Sequence, residues 1–116
     1  MTEQRILVVD DDPAVSLYTR TVLERAGYTV FAAGDLAGAA EVARSETLDL
    51  LVSDVVLGAD DGLDVEEAVR AMHPAVKTLF MSGYAKPRYR TGVEDPVLVK
   101  PFTSDDLLER VVALLA

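Results

Sequence analysis

The chain reads as an α/β domain: a doubly wound, five-stranded parallel sheet with helices on both faces. Three observations predict it. Short, largely apolar runs, Ile6-Leu7-Val8-Val9, Leu50-Leu51-Val52, Val76 to Met81 and Val97-Leu98-Val99, lack the alternation of a half-exposed strand. Such runs suit strands buried on both faces, as in parallel sheets. These runs alternate with segments of helical periodicity, which implies right-handed crossovers. The strand-like runs also end on polar chemistry: Asp10-Asp11-Asp12, Ser53-Asp54, Ser82-Gly83 and Lys100-Pro101. In open parallel sheets, ligands bind outside the carboxyl ends of the strands.

Residues 5–10 form the first strand. Asp12-Pro13 opens a helix, with Asp as N-cap and Pro at the first helical position. Val15, Tyr18, Val22 and Ala26 recur at helical spacing as its apolar stripe, and Gly27 closes it as a left-handed cap. Residues 28–32 form the second strand. Asp35 caps a helix over about 36–46. The third strand covers about 49–54. Val55 to Gly62 is a turn-rich loop in which Asp60 and Asp61 are read as turn residues. A third helix over 63–72 presents Leu63, Val65, Ala68, Val69 and Met72, and Pro74 stops it. His73, beside that proline, is expected to be an exposed loop residue without a ligand role. The fourth strand covers about 76–81. Residues 84–96 hold Pro87, Gly92 and Pro96, so the fourth helix is expected to be short or irregular. The basic residues Lys86, Arg88 and Arg90 fall there. The fifth strand is 97–99, and Thr103 to Asp106 form a capping box for a last helix over 104–115.

The 116 residues are expected to form one domain, 1–116. Half of them are hydrophobic, which excludes a disordered chain. There is no cysteine, hence no disulfide framework and no thiolate site. No apolar run is long enough to span a bilayer and Met1-Thr2-Glu3-Gln4 begins no signal peptide, so the expected location is cytoplasmic, without membrane insertion. A net charge of −9 disfavours binding to nucleic acid and suits a divalent cation or a basic protein patch.

The chemistry gathers at the carboxyl edge of the sheet. Asp10, Asp11 and Asp54 are brought together there, and crowded carboxylates need a proton or a cation. Hard oxygen donors in an open arrangement suit Mg²⁺, which keeps several waters. Lys100 supplies a mobile positive charge, and Ser82 a hydroxyl. Phosphoryl transfer requires little more than an in-line nucleophile and positive charge on the equatorial oxygens, and Asp54 is the candidate nucleophile. Asp12 is read as a helix cap first, with any metal role secondary.

Four motifs in order, Val8-Val9-Asp10-Asp11-Asp12-Pro13, Ser53-Asp54 with Gly62 eight residues on, Met81-Ser82-Gly83-Tyr84 and Lys100-Pro101-Phe102, resemble the receiver domain of two-component response regulators. The resemblance covers nearly the whole chain. It implies the flavodoxin-like receiver fold, with strand order 2-1-3-4-5, and a cis Lys100-Pro101 bond. It implies that Asp54 accepts phosphate from a phosphohistidine of a sensor histidine kinase or histidine phosphotransfer protein. It implies that Asp10, Asp11, Asp54 and the backbone carbonyl of Val56 hold Mg²⁺. Ser82 and Lys100 then engage the phosphoryl group. Ala14, Val15, Tyr18, Pro101 and Phe102 would form the docking patch for the donor helix. The output would pass to an unidentified protein partner, from a monomer or weak dimer.

Three positions depart from the family pattern. Val97 stands where many receivers carry a switching aromatic residue, Gly58 replaces the usual proline, and Ser82 to Lys100 spans 18 positions, about one helical turn less than is common. Tyr84 and Val56 would flank the site, screen an aspartyl-phosphate from water and, for Tyr84, replace the missing aromatic switch.

Other functions fit less well. A haloacid dehalogenase-type phosphatase needs Asp-x-Asp-x-Thr/Val after its first strand, whereas Asp10-Asp11-Asp12-Pro13 is followed by Ala14. An FMN binder would meet three acids where its phosphate loop belongs. A pseudo-receiver that only binds a partner has no need of the full acid, serine and lysine set. The chain is thus expected not to be an enzyme, beyond self-catalysed phosphotransfer and slow self-dephosphorylation.

Overall fold

A computed structural model of the chain describes residues 3–83 and 97–116. The readings at Tyr84, at Lys86, Arg88 and Arg90, and of a short fourth helix over 84–96 lie outside the described residues. In chain order the elements are β1 (Arg5–Val9), α1 (Pro13–Arg25), β2 (Thr29–Ala33), α2 (Leu36–Ser45), β3 (Leu50–Asp54), β4 (Val56–Leu57), β5 (Asp60–Asp61), α3 (Gly62–Met72), β6 (Lys77–Ser82), β7 (Val97–Val99) and α4 (Ser104–Leu115). The main sheet runs β2-β1-β3-β6-β7, parallel throughout. With the two-residue ribbon β4-β5 set aside, that order is the expected 2-1-3-4-5.

Alternate residues of each buried strand serve opposite layers, because strand side chains have a period of two. Ile6, Val8, Leu50, Val52, Leu79 and Met81 join Leu23 of α1 and Leu107 and Val111 of α4 on one face. Leu7, Val9 and Leu51 join Ala39 and Ala43 of α2 and Val65 and Val69 of α3 on the other. Two cores back to back explain why the runs are continuously apolar rather than alternating.

The helix starts follow their caps. The Asp12 carboxylate accepts from the amides of Ala14 and Val15, that of Asp35 from Gly38, and Thr103 exchanges bonds with Asp106 as a capping box. Gly27, at φ +101°, turns the chain out of α1.

Some local readings need correction. The inward stripe of α1 is only in part Val15-Tyr18-Val22-Ala26: Val22 packs on the core and Val15 is half-buried, but Thr19 and Leu23 are the buried residues, while Tyr18 is half-exposed and Ala26 exposed. A threonine can occupy this core position because its hydroxyl donates to the Val15 carbonyl at 2.8 Å. His73 is not a free loop residue. It is half-buried, and its Nε2 lies 2.8 Å from the Ala43 carbonyl, tying the end of α3 to α2. Asp60 and Asp61 form strand β5, opposite β4. Their carboxylates accept from the amides of Leu36 and Leu63, so the loop after Asp54 is bonded to the starts of both α2 and α3.

Candidate functional site

The parallel register sets the strand ends side by side. Val9 of β1 pairs with Ser53 of β3, so Asp10 and Asp54 leave adjacent strands at the same level. Asp10 is buried, its amide donating to the Ala33 carbonyl at 3.1 Å and its Oδ1 accepting from the Asp12 amide at 2.9 Å. Asp11 is exposed, and Asp54 half-buried at the end of β3. From the far side comes Lys100. Its backbone amide donates to the Ser82 carbonyl at 2.7 Å, continuing the pairing of β6 with β7. Its Nζ then crosses to Asp54 Oδ2 at 2.8 Å and Asp10 Oδ2 at 3.0 Å. The Lys100-Pro101 bond is cis.

Asp10, Asp11 and Asp54 each bring a carboxylate oxygen within 4.8 Å of the others. Three carboxylates face one ammonium, which leaves two negative charges to be balanced. Burial pushes the Asp54 carboxyl above the ordinary carboxylate range, further than its bond from Lys100 pulls it down, and the charges of Asp10 and Asp11 add to the rise. Burial alone would lower Lys100, but its bonds to Asp54 and Asp10 outweigh that and hold the ammonium above its usual value. An excess of two negative charges on hard, partly dehydrated oxygens is the chemistry that a small divalent cation satisfies.

The other predicted residues fall as follows. Ser82 is the buried last residue of β6, paired in register with Val99. Val56 begins β4 two residues past Asp54 and is exposed. Ala14, Val15, Tyr18, Pro101 and Phe102, with Lys100, line an apolar groove of about 520 Å³ beside the ion pair.

Two glycines shape the loop after Asp54. Gly58, at φ +60°, passes within 3.6 Å of Asp11 Oδ2, measured from where a Cβ would stand. A Cβ on Gly62 would lie 2.3 Å from the Asp54 carbonyl oxygen, so only glycine fits there. Gly62 appears in the sequence motif, but its reason is this approach of two backbone segments. Ser53 enters the sequence motif only as the residue before Asp54; in the fold its hydroxyl donates to the Asp54 carbonyl at 2.9 Å.

A parallel α/β sheet with paired acids and a lysine at its carboxyl edge defines an α/β protein whose site lies at the strand ends. Comparison with known proteins makes the assignment narrower. A family model described as the response regulator receiver domain matches residues 6–112, and the chain belongs to that family. It is 30% identical to the response regulator receiver protein CpdR of Brucella abortus, over 97% of each chain. It is 32% identical to a segment of the sensor kinase CckA of the same species, covering 95% of this chain and 12% of that one. Among solved structures, the chemotaxis response regulator CheY4 of Vibrio cholerae superposes with a TM-score of 0.87 at 28% identity, over 98% of this chain and all of that one. The chain spans about half the length of several other curated relatives, which are named as transcriptional regulators. Receiver domains thus pair with sensor kinases among its relatives. Among the described residues, no helix is long and apolar enough to cross a membrane.

Proposed function

We propose that this receiver is a Mg²⁺-dependent phosphoacceptor in a His–Asp relay, with Asp54 as the acceptor. The observation that carries the reading is Lys100 Nζ bridging Asp54 and Asp10 at 2.8 and 3.0 Å. An Asp54 carboxylate oxygen attacks the phosphorus of a phosphohistidine; the O–P bond forms as the P–N bond breaks, and the imidazole leaves. Lys100 then turns its ammonium from the carboxylates to the equatorial phosphoryl oxygens, and the Ser82 hydroxyl donates to one of them. Asp10, Asp11 and Asp54, with the backbone carbonyl of Val56, hold the metal. Mg²⁺ when bound supplies charge neutralisation for the phosphoryl oxygens.

On this reading the protein modifies only itself. It turns over no separate substrate and loses the phosphate slowly. The donor is a sensor histidine kinase or histidine phosphotransfer protein, docked in the groove beside Lys100. The output passes to another protein, from a cytoplasmic monomer or weak dimer. The test is exposure to acetyl phosphate with Mg²⁺, followed by intact mass. The expected outcome is one added phosphate on the wild-type chain and none on Asp54→Asn; a wild-type chain that stays unlabelled overturns the reading.

A further inference from the structure

Lys100 reaches the acids from a different segment of chain, so something must hold the two segments at a fixed distance. Asp10 and Asp11 sit on the loop that runs into α1, and Asp54 ends the neighbouring strand β3. The lysine sits on the loop that runs into α4. Residues 100–103 of the latter loop are tied by their backbone at both ends, through Lys100 N to the Ser82 carbonyl at 2.7 Å and Thr103 N to Asp106 Oδ2 at 3.1 Å. Between these ties the loop meets α1 through Tyr18 and Phe102. The Tyr18 ring packs on Phe102 with centroids 5.9 Å apart, tilted 45°, and the Tyr18 hydroxyl donates to the Phe102 carbonyl at 3.4 Å.

Helix α1 is a rigid lever. It is anchored in the core by Thr19 and Leu23 and capped by Asp12, two residues after Asp10. Tyr18 stands on this lever and Phe102 two residues after Lys100. The geometry points to Tyr18 as a positioning residue for Lys100: the Tyr18–Phe102 contact braces the lysine-bearing loop against the helix that follows Asp10, so that the ammonium reaches the carboxylates of Asp10 and, on the adjacent strand, Asp54. Tyr18 touches none of the reacting atoms, and its effect on phosphoryl uptake rests on the phosphoacceptor reading above. Its effect on the lysine does not.

Two measurements separate the two claims. The first is reactivity of the Lys100 amine towards an N-hydroxysuccinimide acetate at limiting reagent, read by peptide mass mapping against exposed Lys77 as internal reference. Tyr18 is half-exposed, so Tyr18→Ala is tolerated in a helix. That change is expected to raise the Lys100-to-Lys77 rate ratio about fivefold, with far-ultraviolet circular dichroism unchanged. Tyr18→Phe keeps the ring and is expected to stay within about twofold of wild type, because an aromatic pair carries more than an exposed hydroxyl at 3.4 Å. An unchanged ratio in the folded Tyr18→Ala protein overturns the proposal, as does Tyr18→Phe behaving like Tyr18→Ala. The second measurement is the rate of labelling by acetyl phosphate in a double-mutant cycle. Tyr18→Ala is expected to slow labelling about fivefold when Lys100 is present, and by less than about twofold in a Lys100→Ala background. Equal slowing in both backgrounds shows that Tyr18 acts by another route and sinks the positioning role. If the wild-type chain takes no phosphate at all, the phosphoacceptor reading fails, and the amine reactivity still decides the role of Tyr18.

Discussion

The two ends of the sheet use the same chemistry to opposite effect. At the amino end, Arg5 on β1 pairs with Glu46 and donates to the Thr47 carbonyl, its guanidinium lies 5.0 Å from the centroid of the Phe31 ring, and its amide donates to Asp49. The ion pair is one against one, and both side chains are about a third exposed. At the carboxyl end, Lys100 faces three acids, and the Asp10 side chain is fully buried. A balanced, wet pair contributes a little to stability and asks for nothing else. An unbalanced, drier group carries uncompensated charge and therefore an appetite for a cation. The difference lies in stoichiometry and solvent, since the residue types at the two ends are nearly the same.

The largest effect is expected where the loop backbone is pressed against the acceptor. Gly62→Ala would drive a methyl group into the Asp54 carbonyl and is expected to cost about 3 kcal/mol, measured by urea unfolding. A cost near zero would mean that the two segments are not held together.

Removing each end's cation tests the comparison directly. Lys100→Met leaves buried Asp10 without its partner and is expected to cost about 2 kcal/mol in metal-free buffer. Arg5→Met, at the exposed pair, is expected to cost about 0.5 kcal/mol. Equal costs would erase the distinction drawn here.

The divalent cation itself should tell the two ends apart. At tenfold over its dissociation constant, Mg²⁺ is expected to stabilise the wild-type chain by about 1.4 kcal/mol. Thermal unfolding of Asp11→Asn should show that gain lost, and that of Asp49→Asn should show it kept. Loss in both variants would place the cation elsewhere.

The smallest effect is at the start of α4, where a single exposed acid works alone. The backbone bond from Thr103, and then its side-chain bond, hold the Asp106 carboxyl below the usual carboxylate range. A depressed acid stabilises the fold above its unfolded value of 3.8, and that contribution is lost as pH falls through the lower folded value. Asp106→Ala should therefore lower the thermal midpoint at pH 7 and make no difference once the pH lies well below the folded value; a deficit that persists there would point to packing instead.

Much of the architecture was legible because it is written in local chemistry. Continuous apolar runs between Asp- and Thr-capped helices specify buried strands and crossovers, and the carboxyl-edge rule then collects Asp10, Asp54 and Lys100 without any contact being known. The misreadings share a cause. Tyr18 and Thr19 trade places because the α1 stripe was chosen by hydropathy, while a threonine that bonds its own helix backbone buries at little cost. Asp60 and Asp61 pass for turn residues because sequence does not show which amides stand opposite them. His73 is silent in sequence because its partner, the Ala43 carbonyl, lies on another helix.

By itself, then, the order of residues determined the strands, the caps and the identities of the groups at the edge, since each depends on neighbours within a few positions. Only the folded molecule decided the distances. One ammonium spans two carboxylates, an aromatic pair joins α1 to the lysine loop, and Gly62 admits no side chain. These are relations between segments far apart in the chain, set by how two cores pack on one twisted sheet, and no local pattern carries them.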